Sequence, residues 1–154
     1  MILWFSLAGV AGITSVMWSV VWVQAFPLLT ILVAVGLTVV FTVGVHEAGH
    51  YLAGMACGLK VRFGWHGPNP CVWPTPLVPP PKVALVFYSG GPLANFLAAA
   101  VLLAIDGQVP ALLAGAHLFL GVGNLVWPQP GRDGHRILES LRAWRLLRRS
   151  DAAA

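Results

Sequence analysis

Four long stretches of this chain carry almost no charged side chain, and short polar or basic segments separate them. They begin at Ile2, Pro27, Val83 and Gln108. A helix rises 1.5 Å per residue, so about 20 apolar residues cross the roughly 30 Å of hydrocarbon in a bilayer. The pattern predicts spans at about 2–24, 27–56, 83–105 and 108–130. Pro27 suits the first turn of the second helix, and Gly58 is placed to stop it. The first stretch lacks a basic leader and is too long for a signal peptide core. Trp4, Trp18 and Trp22 lie towards its ends, as interfacial aromatics do.

Two segments break the pattern. Between Lys60 and Lys82 the chain cannot be a spanning helix, because seven of its twelve prolines fall between Pro68 and Pro81. This stretch reads either as a semi-rigid surface loop or as a hairpin. In the second reading, Val61-Arg62-Phe63 and Val72-Trp73 form strands and offer an edge to an extended substrate. After Gly134, Ile137, Leu138, Leu141, Trp144 and Leu147 form an apolar helical stripe interleaved with five arginines. That pattern predicts an amphipathic basic helix over 134–150 lying on anionic lipid. The fold class is therefore an all-α membrane protein of about four transmembrane helices, organised as a single domain.

Composition agrees. The 154 residues are 58% hydrophobic and 9% charged, with a mean hydropathy of +0.80. Soluble domains carry about 25% charged residues. The net charge of +4 does not point to nucleic acid, because all nine Lys and Arg residues lie in the 60–82 segment or in the tail from Arg132. With four spans these two regions share one side, and the positive-inside rule makes it the cytoplasmic side of a bacterial-type plasma membrane. Both termini then face the cytoplasm. Cys57 and Cys71 fall on that side, where disulfides are rare, and read as neutral or structural.

The chemistry is concentrated at His46-Glu47-Ala48-Gly49-His50. On a helix, i and i+4 share a face, so His46 and His50 can hold one metal ion from the same side. Glu47 is rotated about 100° from His46, beside the metal, where it can take a proton from a metal-bound water. Three ionisable residues within five, at the end of an apolar helix, mark a functional site, because such groups are expensive at membrane depth. Asp133, about 24 residues into the fourth stretch, reaches the same side as His46. Asn95 reads either as a helix-to-helix hydrogen-bonding amide or as a donor to a substrate oxyanion. His117 reads as a packed histidine far from the His46 level.

Three segments together resemble one family. His46-Glu47-x-x-His50, Gly90-Gly91-Pro92-Leu93-Ala94-Asn95, and Asn124-x-x-x-Pro128 followed by Asp133-Gly134 are similar to motifs of the site-2 protease family of intramembrane zinc metalloproteases. The resemblance covers about residues 26–140. It implies one Zn²⁺ ion held by His46, His50 and Asp133, with Glu47 as general base. It implies that Asn95 positions substrate or stabilises the oxyanion, with Asn124 a further residue near the site. The implied substrate is a membrane protein, cut at a locally unwound transmembrane segment within the lipid bilayer, as in regulated intramembrane proteolysis. A regulatory membrane partner or a homo-oligomer belongs to the same expectation. The chain departs from the family at Arg132, where an apolar residue is usual; an arginine there either pairs with Asp133 or reaches to the interface. His135 is an alternative third ligand. Two other classes compete: a non-catalytic membrane binding module on the same fold, and a metal transporter. A transporter needs polar groups strung across the bilayer, whereas here they cluster at one depth.

Overall fold

The structure, a computed structural model of the chain, describes residues 24, 25, 27–67, 69–126 and 129–153. The span expected at about 2–24 therefore lies outside the described residues except for its last position. The elements in order are α1 (Pro27–Ala56), β1 (Lys60–His66), β2 (Asn69–Thr75), α2 (Pro81–Leu103), α3 (Gln108–Val126) and α4 (Asp133–Ala153). Residues up to Thr38 belong to one compact unit and Val39–Ala154 to another. All packing described below is within Val39–Ala154.

Three helices, α1, α2 and α3, are long and apolar enough to cross a membrane. Their large side chains point outward: Val40, Leu97, Leu112 and Phe119 are all more than half exposed. What they bury is small or polar. The inward stripe of α1 is Thr42, His46, Gly49, His50 and Gly54. That of α2 is Ala84, Phe87, Gly91, Pro92, Asn95 and Ala99, and that of α3 is Ala114, His117 and Gly121. These spacings of three and four follow one helix face. The arrangement inverts that of a soluble bundle. Lipid solvates the leucines, and close contact plus hydrogen bonding holds the helices together.

α1 and α2 meet backbone to backbone. A side chain added at Gly49 would run into the Gly90 carbonyl, and one at Gly90 would meet Ala53 Cβ at 2.6 Å. The two backbones touch here, which only glycine permits. α2 also packs against α3 and α4. α1 ends as expected: Gly58 adopts φ +71°, its N–H donates to the Met55 carbonyl, and the Leu59 N–H donates to the Gly54 carbonyl. This is the left-handed glycine stop.

The segment after Gly58 forms the hairpin. β1 and β2 pair antiparallel, with Phe63 opposite Val72 and Gly64 opposite Cys71. Each strand has seven residues, longer than Val61–Phe63 and Val72–Trp73. Prolines fail to break β2 because of register. In an antiparallel pair, alternate residues turn their N–H away from the partner. Pro70 and Pro74 fall on those outward positions, so the ladder loses no donor.

The fourth expected span, about 108–130, corresponds to α3. α3 ends at Val126, and α4 starts at Asp133 after a turn at 130–132. Asp133 thus occupies the first turn of α4, where a carboxylate suits the positive end of a helix.

Candidate metal centre

α1 presents His46 and His50 on one face, one turn apart, with ring centroids 4.8 Å apart. The start of α4 brings Asp133 against them. His46 Nε2 lies 2.9 Å from Asp133 Oδ2, and His50 Nε2 lies 3.2 Å from Asp133 Oδ1. The two Nε2 atoms are 3.2 Å apart. All three residues are buried, and a ligand atom from each lies within 4.8 Å of the others. This group can hold a metal ion. Two imidazole nitrogens and a carboxylate converge on one point, and a cation there satisfies all three.

Each imidazole is also held from behind. His50 Nδ1–H donates to the Phe87 carbonyl at 2.8 Å, which leaves its Nε2 lone pair for the cluster. Pro92 supplies no N–H to the helical ladder in this part of α2. Asn95 stands behind His46, with Nδ2 3.0 Å from His46 Nδ1. The other end of that amide, Oδ1, is 2.9 Å from His117 Nδ1. Gly91 leaves room for both ligands, since a Cβ there would stand 2.7 Å from His46 Nε2 and even closer to His50. Burial pushes the Asp133 carboxyl up, but hydrogen bonds to His46 and His50, and the charge these rings carry when protonated, outweigh it. The group is held below its ordinary value.

Glu47 takes a different partner from the histidines. Its Oε2 accepts the Val72 N–H at 2.7 Å. Val72 sits between Pro70 and Pro74 on the outward edge of β2, so it is the one main-chain donor on that edge from 70 to 74. The hairpin is seated further by Phe63 stacking on Tyr51 at 5.3 Å. A cavity of about 530 Å³ opens between the hairpin and the ligand cluster. Glu47, Val72, Tyr88, Asn124 and Arg136 are among its walls.

The structure brings together His46, His50, Asp133 and Glu47. Asn124 joins them, with Nδ2 3.5 Å from His46 Nε2. Asn95 is fully buried, with both ends of its amide engaged, and it does not line the cavity. His117 is also fully buried, but it is not remote from His46, because it reaches it through Asn95. Counting residues along α3 placed it at another depth; the packing of α3 on α2 overrides that count. Arg132 makes no ion pair with Asp133. It donates to Gln129 Oε1 at 3.3 Å and to Asn124 Oδ1 at 3.5 Å. His135 lies along α4, with Nδ1 3.5 Å from Glu139 Oε2. Cys57 and Cys71 are free. Sequence reading missed the Phe87 carbonyl and the Val72 N–H, since main-chain groups leave no mark in a sequence. The prolines flanking Val72 at a spacing of two were the available signal.

Fold and centre together point to a helical membrane protein with three candidate spans among the described residues and a buried two-histidine, one-aspartate group, able to hold a metal ion, beside a glutamate. No protein-family model matches the chain, and neither does any curated protein or solved structure.

Proposed function

We propose that the protein is a zinc-dependent intramembrane endopeptidase similar to the site-2 proteases, acting on transmembrane segments of membrane proteins. The observation that carries this reading is the convergence of His46, His50 and Asp133 beside Glu47, at the wall of a cavity beneath a strand edge. A tetrahedral ion with bonds near 2.0–2.1 Å has ligand-to-ligand edges of roughly 3.3 Å. The separations of 2.9, 3.2 and 3.2 Å between these atoms are close to that edge, which supports zinc. His46, His50 and Asp133 would hold the ion, and the cavity they line would give water and substrate access to it.

The metal, when bound, lowers the pKa of water and polarises a carbonyl. The chain's residues do the rest. Glu47 takes the proton from the attacking water and delivers it to the leaving amine. Asn124, whose Oδ1 accepts from Arg132, turns its Nδ2 towards the centre and can donate to the carbonyl oxygen of the scissile bond. Asn95 is engaged behind His46 and serves that ligand instead. An unwound substrate lies along β2, where the Val72 N–H and the outward carbonyls offer main-chain pairing. Val72 then exchanges Glu47 for a substrate carbonyl, which frees the base. The basic residues around Lys60 and along α4 support a cytoplasmic position for this end under the positive-inside rule.

The test is co-expression of wild type and Glu47→Gln with tagged single-span proteins from the same cell. A fragment seen only with wild type is the expected result. Equal cleavage by Glu47→Gln would refute Glu47 as the base. Zinc bound by wild type, with no fragment from any substrate in reconstituted vesicles, would favour a non-catalytic binding module.

A further inference from the structure

His117 is fully buried, carries a bare polar atom and has no place in the mechanism above. Its Nδ1 meets Asn95 Oδ1 at 2.9 Å, its Nε2 has no hydrogen-bond partner among the described residues, and Phe41 packs edge-on against the ring at 5.5 Å. Asn95 in turn meets His46 Nδ1 at 3.0 Å. The three side chains form a line that ends at a metal ligand.

An amide has one donating end and one accepting end. The two imidazoles beside Asn95 must therefore present opposite characters to it, one an N–H and the other a lone pair. With Nδ2 facing His46, Asn95 donates to His46 Nδ1, and His117 Nδ1–H donates to Asn95 Oδ1. A neutral His46 in that state carries its proton on Nε2, the atom that faces Asp133, and cannot bind a metal there. Metal binding at Nε2 requires the reverse. His46 Nδ1–H must donate to Asn95 Oδ1, so the amide turns over, and Asn95 Nδ2–H donates to a bare His117 Nδ1. The two ends of the amide are nearly the same shape, so the turn costs little space.

We propose that His117 is a positioning residue for the metal centre: by accepting from Asn95 at Nδ1, it holds the amide in the orientation that leaves His46 Nε2 free for the ion. The inference rests on the metal-centre reading and extends it by one residue. Outer partners of metal-binding histidines fix tautomer and ring orientation, and their loss costs 10–100-fold in affinity. His117 acts through an intermediary, so about tenfold, the lower end of that range, is expected.

The experiment is zinc titration against a chromophoric chelator, on the full chain in detergent micelles. It compares wild type, His117→Leu and His117→Asn. Leucine removes the acceptor, whereas the asparagine Oδ1 falls near the place of Nδ1. The expected result is zinc binding about tenfold weaker for His117→Leu and close to wild type for His117→Asn. Histidine ¹⁵N spectra of zinc-loaded wild type are expected to show His117 protonated at Nε2 and bare at Nδ1. Undiminished affinity in His117→Leu, or a His117 protonated at Nδ1 in the loaded protein, overturns the proposal while the metal centre stands. Failure of wild type to bind zinc overturns both. If the leucine variant does not fold, the wild-type spectrum decides.

Discussion

Gly91→Ala is the sharpest perturbation of this site, because it adds one methyl group where the two histidine ligands meet α2. The new Cβ would stand 2.7 Å from His46 Nε2 and 2.7 Å from His46 Cε1, where ordinary contact begins at 3.4 Å. The ring, or the helix carrying it, has to retreat by roughly 0.7 Å, and zinc coordination tolerates about ±0.2 Å. Neither ring can turn aside freely. His50 is tied to the Phe87 carbonyl and His46 to Asn95, and each such bond contributes about 1 kcal/mol. Overpacking a tight interior costs a further ~1–3 kcal/mol. Two losses are therefore expected: reduced stability by ~1–3 kcal/mol, and zinc affinity weaker by at least about 100-fold, the upper end of what an outer-partner loss costs. The assay is metal content after purification in detergent, followed by chelator competition and thermal unfolding. Gly44→Ala is the control on α1, because among the described residues nothing lies within 4 Å of a Cβ added there. It should leave zinc unchanged, since a helical Gly→Ala exchange in open space is neutral or favourable. Equal zinc affinity in Gly91→Ala and Gly44→Ala would refute the packing argument.

Asp133→Ala should lose zinc while His135→Ala keeps it, because only Asp133 meets both imidazoles. Metal content of the purified variants checks this, and the reverse result would move the third ligand. Arg132→Ala should leave zinc content unchanged but slow cleavage, since it releases the Asn124 Oδ1 and lets that amide turn away; a loss of metal would show that Arg132 supports Asp133 instead. The Cys71 thiol is held above its ordinary value by burial and then by the negative charge of Glu47. Only the thiolate alkylates, so its rate should rise with pH and approach its plateau above the usual thiol range. Glu47→Gln removes one of the two raising causes and should speed alkylation of Cys71 at neutral pH. An unchanged rate would place β2 away from Glu47.

The sequence by itself determined the helices, because a bilayer imposes length and polarity on any segment that crosses it. The uncharged stretches mark α1, α2 and α3 nearly residue by residue, and His46 and His50 share a face through helical period alone. The glycine stop at Gly58 and the proline start of α1 at Pro27 are local backbone chemistry. Tertiary structure decided what those helices do to one another. His117 was read as remote, yet it is one amide away from His46, because the packing of α3 on α2 sets its depth and the chain carries no record of that packing. Asn95 reads from the sequence either as a helix-to-helix amide or as a substrate donor, and only the fold shows it held between the imidazoles of His46 and His117. Asp133 was expected near the end of a span and instead opens α4, whose docking on α2 brings its carboxylate to both histidines. The Val72 N–H reaches Glu47 only because hairpin register turns it outward between two prolines. Period and composition are local and survive in the sequence. Contacts between residues 22, 25, 49 or 78 positions apart depend on how elements dock, and only the folded chain fixes them.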